Sequence, residues 1–144
     1  MTTETAAPTD IEANKRVARE FIDRIFVRGE PEAVDELATE DFTPHTFGAM
    51  PPGREPLKQV LPRMAQGLKD PVFEIEDVIA EGDRVAVRLT TSATHVGDFM
   101  GMPASGNRYT IPEIHIFRIR DGQVSEHWHA FDRAALLEQL KPKG

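Results

Sequence analysis

Close to the end of this 144-residue chain, an Asp121-Gly122 dipeptide separates two runs rich in strand-forming residues. Asp-Gly supplies the positive φ angles of a two-residue hairpin, so Arg108 to Phe131 reads as two antiparallel strands joined by a tight turn. Alternate residues of a strand share a face. Glu113, His115, Phe117 and Ile119 therefore lie on one side of the first strand, with Ile114, Ile116, Arg118 and Arg120 on the other. On the return strand His127, His129 and Phe131 share a face, opposite Trp128 and Ala130. Three of the chain's five histidines stand in this hairpin, and a carboxylate precedes the first by two residues. Chemistry is expected here.

The remaining chain supplies helices first and strands after them. Apolar residues at Ile11, Val17, Ala18, Phe21, Ile22, Ile25 and Phe26 form one stripe of a helix from about Ile11 to Val27, capped by Thr9 or Asp10 and ended at Gly29. Pro31 suits the first turn of a short helix to Leu37. Asp41 to Pro52 reads as irregular or partly extended, a segment folded over the rim of a pocket. A third helix is expected from near Glu55-Pro56 to about Leu68, with a kink or break at Pro62. Val72 to Glu81 and Arg84 to His95 form a second hairpin about Glu81-Gly82-Asp83. The loop Val96 to Asn107 carries Phe99, Met100 and Met102, too many apolar groups to leave in water, so it closes on the core or on a ligand. Asp132 can cap a last helix to about Leu140, docked by Leu136, Leu137 and Leu140. Helices followed by antiparallel strands make an α+β pattern. A curved sheet over helices encloses a concave space, the usual place for a small molecule.

Charge narrows the partners. A formal net charge of -7 with no basic run argues against nucleic acid and against an anionic membrane surface. The absence of cysteine excludes disulfides and thiol chemistry. No apolar run approaches the ~20 residues of a membrane span. The first ten residues lack the features of a signal peptide, so Met1 to Asp10 is expected to be a disordered tail and the cytoplasm the location. Residues 11–140 form one domain, and 141–144 a short tail.

The order of elements resembles the ketosteroid-isomerase-like (nuclear-transport-factor-like) cone, a curved antiparallel sheet wrapped over N-terminal helices. Gly97-Asp98-Phe99-Met100-Gly101-Met102-Pro103-Ala104-Ser105-Gly106 resembles the G-x-F-x-G-x-P-x-x-G loop of the SnoaL-like polyketide and ester cyclases. Ile114 to Arg120, Asp121-Gly122, Glu126-His127-Trp128 and Leu136-Leu137-Glu138-Gln139-Leu140 continue the likeness, which covers roughly residues 11 to 140. The resemblance implies an acid–base site made by an inward strand histidine and an aspartate just after the His-Trp pair. It also implies an intramolecular aldol closure that uses no cofactor and no metal. His115 stands at the position of that histidine, with Glu113 on its face, but His129 occupies the position of the aspartate.

Each candidate has a plainer alternative. His115 is either a core histidine bonded to a carbonyl or, with His129 and Glu113, part of the catalytic set. Glu113 could instead pair with Arg108 or Arg118. His115, His127 and His129 could bind a zinc ion if the hairpin brings them to one side, although the resemblance implies none, and His127 otherwise reads as a structural partner. His45, Phe21, Phe47, Met50, Met64, Phe73, Phe99, Met100, Met102 and Phe117 are the expected pocket residues, each also explicable as surface or core. The expected function is cofactor-free cyclisation or isomerisation of a hydrophobic carbonyl compound. The alternatives are a non-catalytic binding domain, or hydration, dehydration or epoxide opening on the same scaffold. Trp128, Ile114 and Ile116 on the outer sheet face suit a homodimer.

Overall fold

The structure, a computed structural model, describes residues 10–45 and 50–142. The expected N-terminal tail and Phe47 lie outside these residues, apart from Asp10. Five strands form one sheet: β1 (Ala38–His45), β2 (Leu68–Glu81), β3 (Arg84–His95), β4 (Arg108–Arg120) and β5 (Gln123–Phe131). Their order is β1-β5-β4-β3-β2. Among the described residues four α-helices accompany it: α1 (Ile11–Phe21), α2 (Pro31–Leu37), α3 (Arg54–Gly67) and α4 (Arg133–Gln139). The α+β class holds, and the sheet is mixed rather than wholly antiparallel.

Parallel pairing arises at β1. It lies beside β5 in the same direction, with His45 opposite Trp128, whereas the other neighbours run antiparallel. The sequence from Asp41 onward reads as irregular because of its acids and Pro44. On an edge strand a missing N–H is tolerated, and Ala38, Thr39, Phe42 and Pro44 are buried or half-buried there, enough to anchor the strand.

The Asp10 carboxylate accepts a hydrogen bond from the Ala13 N–H and starts α1. The helix continues as a π-helical turn, Ile22–Val27, in which the Arg28 N–H reaches back to the Asp23 carbonyl. A π turn shifts the facing of the residues that follow it, and such turns recur at functional sites. Here the consecutive Ile25 and Phe26 both reach the interior space. Helix α3 runs unbroken through Pro62, which is exposed. Water can therefore satisfy the carbonyl whose helical partner Pro62 removes. Leu57, Val60, Leu61 and Met64 recur at helical spacing and face the sheet side of the cavity.

The hairpin β4–β5 turns on Asp121 and Gly122, both at positive φ (51° and 77°). One irregularity near the turn sets everything beyond it. Ile119 pairs with Val124, but Arg118 pairs with Glu126, leaving Ser125 as the extra residue of a bulge. Beyond this bulge His115 pairs with His129 and Phe117 with His127. Continued without the bulge, the register would set Trp128 opposite His115 and send His127 and His129 to the other face. Val124 and Ser125 are both buried, and the Ser125 hydroxyl donates to the Arg118 carbonyl at 3.3 Å. Further bulges on β2 interrupt the pairing with β3 and help the sheet curve.

Two apolar clusters result. The larger packs Phe21, Ile22, Ile25, Val34, Phe42, Leu57 and Leu61 against Val85, Val87, Leu89, Phe117 and Val124. The smaller holds Ala93, Tyr109, Ile111, Leu136 and Leu140, with Phe99, Met100 and Met102 packed on it. Among the described residues no helix is long and apolar enough to cross a membrane.

Candidate active site

A cavity of about 520 Å³ lies between α3, the π turn, the sheet and the loop after β3. Its wall is largely apolar, with Phe26, Leu57, Val60, Met64, Phe73 and Ile111 among the lining residues. Glu113, His115, His127 and His129 form its polar wall. Of these, Glu113 and His115 come from β4, and His127 and His129 from β5.

One carboxylate oxygen ties the group together. Glu113 Oε1 lies 2.9 Å from His115 Nε2 and 2.7 Å from His129 Nε2. Burial pushes the Glu113 carboxyl up, but the hydrogen bonds from His115 and His129 outweigh it and hold the carboxyl at about 2. The group is therefore an anion that only accepts, so both Nε2 atoms carry hydrogen and donate. Burial lowers the His115 pKa, and the neighbouring His129 adds to this against the pull of Glu113. In neutral His115 the Nδ1 atom is then an acceptor. His127 Nε2, 2.9 Å away, donates to it. Burial drives the His127 pKa well below 6.5, with His115, His129 and His45 contributing, so this ring is neutral as well. The chain of donors runs from His127 through His115 to Glu113, and from His129 to Glu113.

Both nitrogens of His115 are thus engaged, and the ring is enclosed at 2% exposure. His129 engages Nε2 alone and keeps 21% of its side chain open. Its second nitrogen, Nδ1, carries the lone pair and has no hydrogen-bond partner among the described residues, in a ring that lines the cavity with a carboxylate behind it. Such a pairing fixes the tautomer and stabilises the ring once it has taken a proton. Aromatic rings pack against the histidines: His127 stacks on Phe117 at 4.8 Å, and Phe26 sits 5.8 Å from His115.

The ligand atoms of Glu113, His115 and His129 lie within 4.8 Å of one another, close enough for a metal ion. His115 and His129 are stacked at 4.2 Å with planes 13° apart. In the hydrogen-bonded arrangement both Nε2 atoms carry hydrogen and point at Glu113 Oε1, so an ion at this place would have to displace those protons. The trio His115, His127 and His129 does not present three nitrogens to one point, because His127 Nε2 is turned to His115 Nδ1.

Of the pocket residues expected from sequence, Met50, Met64, Phe73, Phe99 and Met100 line the cavity. Four others sit elsewhere. Phe21 and Phe117 are fully buried in the larger core beneath the histidines, where they pack at 5.4 Å. Met102 packs on the smaller core, and its carbonyl holds His95. His45 faces outward, pairs with Glu126 at 2.9 Å and stacks on Trp128, because β1 docks on β5 with His45 beside Trp128 on the outer face. Glu113 pairs with neither Arg108 nor Arg118, and Arg118 binds Asp83 and Glu126 instead.

Sequence reading passed over Tyr109, Ile111, Thr91 and Phe26, all on the cavity wall. Period-two alternation from Glu113 was a usable signal for Ile111 and Tyr109. Phe26 depends on the π turn, which has no local signature.

The loop 96–107 closes one end. The Val96 and Gly97 N–H groups both donate to the Gly67 carbonyl at the end of α3. The crossing is so close that a Cβ on Gly97 would strike the Gln66 carbonyl, and one on Gly67 would lie 2.7 Å from the Asp98 carbonyl. Only glycine fits at either position. This accounts for the first glycine of the loop motif.

Comparison with known proteins agrees with this architecture. The family model described as SnoaL-like polyketide cyclase matches residues 16–140. The chain belongs to that family. Aklanonic acid methyl ester cyclase DnrD of Streptomyces peucetius is 41% identical over 59 residues, covering 41% of each chain. Nogalonic acid methyl ester cyclase of Streptomyces nogalater is 34% identical over 68 residues, covering 46% of this chain and 51% of that one. The chain thus matches about half the length, or less, of these relatives. The structure of TsrD from Streptomyces laurentii superposes with a TM-score of 0.83 at 28% identity, covering 93% of this chain and 98% of that one.

Proposed function

We propose that this protein is a cofactor-free cyclase acting by general acid–base chemistry on a hydrophobic, polyketide-derived carbonyl ester. The observation that carries the reading is the shared Glu113 oxygen, which orients two imidazoles and leaves His129 with a free nitrogen at an apolar cavity. His129 Nδ1 takes a proton from the carbon next to a carbonyl, and the electron pair of that C–H bond becomes an enolate. Glu113 stabilises the imidazolium formed. The enolate carbon attacks a second carbonyl of the same molecule, making a C–C bond. The resulting alkoxide recovers the proton from His129. Atoms balance and nothing is oxidised. His115, held by His127, keeps Glu113 in place and surrounds the reacting end with fixed dipoles. The lid residues Phe99 and Met100 exclude water.

Family membership and the matches to two methyl ester cyclases support aklanonic and nogalonic acid methyl esters as first substrates to test. The expected product is an isomer of unchanged mass with an altered retention time, in which one C–H bond of the carbon next to the carbonyl has been replaced by the new C–C bond. A bound ester that is recovered unreacted and unexchanged at every pH would make the protein a binding domain instead. A gain of water in the product would assign a hydratase or epoxide-opening activity. On this reading the partner is a small molecule and not nucleic acid, and the site of action is the cytoplasm. The assembled form is a homodimer through the outer sheet face, where Ile114 is 50% exposed beside Ile116 and Trp128. A monomeric mass in sedimentation would overturn that assembly.

A further inference from the structure

The lid end of the cavity holds two hydroxyls that the chemistry above does not use. Tyr109 lines the cavity at 3% exposure, and among the described residues its hydroxyl has no hydrogen-bond partner. Thr91 lines the same wall at 3% exposure, and its Oγ1 is buried without a partner. Thr91 pairs across the sheet with Ile111, two residues from Tyr109 on the same face. Such diagonal neighbours lie within reach of one aromatic side chain. Leu68, Phe99, Met100, Ile111 and Leu136 supply apolar surface about this end of the cavity, whose lining also includes Lys69 and Asp70. Buried polar groups in native proteins are almost always satisfied, because leaving one unpaired forfeits the water it had when unfolded. The unmet Thr91 hydroxyl, beside the Tyr109 phenol in the wall of a ligand-sized cavity, therefore points to a ligand.

We infer that Tyr109, assisted by Thr91, is a second polar subsite that binds an oxygen of the substrate remote from its reacting carbonyl. The inference rests on the acid–base reading for the position of that carbonyl. Tyr109 and Glu113 share a face of β4 four residues apart, their backbone positions roughly 13 Å from each other along the strand. The ligand this arrangement fits is therefore elongated, with a carbonyl near one end and a hydroxyl or carbonyl oxygen towards the other. Burial, with the charge of Glu113, pushes the Tyr109 phenol up. The phenol remains protonated at working pH and donates. Thr91 can donate or accept. A ligand lacking the far oxygen would leave Tyr109 unpaired, so the subsite sets both the length and the direction in which the substrate enters.

The test uses two flat tricyclic probes, anthraflavic acid, with a hydroxyl at each end, and anthraquinone, with none. Their dissociation constants are measured on the full chain, on Tyr109→Phe and on Thr91→Val, with folding checked by circular dichroism. Loss of one neutral hydrogen bond weakens anthraflavic acid about fivefold to tenfold in Tyr109→Phe and about threefold in Thr91→Val, with anthraquinone within twofold. Tyr109 is the only tyrosine, so ζ-carbon-labelled tyrosine gives a single resonance. That resonance shifts with anthraflavic acid and holds still with anthraquinone. An equal change for both probes, no change for either, or failure of both to bind the unaltered protein would overturn the subsite. His129→Ala separates the two readings. The loss of anthraflavic acid affinity caused by Tyr109→Phe is the same with and without His129→Ala if the subsite is right, whatever His129→Ala does to turnover, and turnover that survives it would remove the acid–base reading alone.

Discussion

Two parts of this molecule bury histidine in different ways. At the lid, His95 is fully buried and all of its hydrogen-bonding capacity is spent on the loop it holds. Its Nδ1 accepts from the Ser105 N–H at 3.2 Å and lies 2.9 Å from the Ser105 hydroxyl, so Nε2 carries the hydrogen and donates to the Met102 carbonyl. Ser105 in turn accepts from the Asn107 N–H. Every partner of this ring is neutral, and all belong to the same loop. In the β4–β5 hairpin the shared partner is an anion, and the network ends at the half-open ring of His129 beside an apolar cavity. Burial alone therefore does not mark a histidine as chemical. A carboxylate behind the ring, an unspent nitrogen and an adjoining space do.

The contrast can be broken most directly at His129. His129→Ala is expected to lower kcat/KM by about 10²–10⁴-fold, the usual contribution of a general base, while circular dichroism stays native. Activity within twofold of the parent would remove His129 from the mechanism. Glu113→Gln comes next. The amide oxygen can still accept from both imidazoles, but the negative charge that stabilises the imidazolium is gone, and kcat is expected to fall by about 10²-fold or more. Retained kcat with raised KM would make Glu113 a binding group only.

Acid separates the two regions through stability. The unfolded chain protonates His115 and His127 near 6.5, whereas the folded chain holds both neutral to lower pH. More protons are then bound by the unfolded state, so stability falls as pH drops below 6.5. Glu113 acts in the same direction between 4.5 and about 2. Its share, fully present above 4.5, is roughly 3–4 kcal/mol by linkage. Urea melts across these two windows should show two successive losses, and the lower one should shrink in Glu113→Gln. A lower loss that stays the same in that variant would contradict the assignment. The smallest effect is expected at the lid. His95→Phe keeps the volume roughly but strands the Ser105 N–H and the Met102 carbonyl, a cost of about 1–3 kcal/mol. KM should rise a fewfold as the loop loosens, with kcat within twofold. A loss of kcat comparable to that of His129→Ala would mean that the lid histidine takes part in the chemistry.

Much of the fold was legible because it rests on local rules. Asp10 and Asp132 cap helices as their side chains permit, Pro31 opens α2, and the Asp121-Gly122 turn carries the positive φ angles expected of it. The apolar loop with its glycine motif closes the cavity through Phe99 and Met100. Less legible were features that depend on a distant partner. The strand character of β1 comes from docking on β5, and that docking turned His45 outward. Phe21 and Phe117 carry the same apolar signal whether they face a cavity or pack beneath it. Only the packing of α1 on the sheet puts them underneath.

By itself, the sequence determined which residues share a face of each strand and which residue types could do chemistry. Period-two alternation is a property of one strand and needs no partner. It could not determine that the histidine faces of β4 and β5 coincide. That was decided by one extra residue, Ser125, held in a bulge by burial and by its bond to the Arg118 carbonyl. Register is a relation between two strands, settled by the sum of contacts over the whole hairpin and the core beneath it. A shift of one residue would have sent His127 and His129 to the solvent side of the sheet.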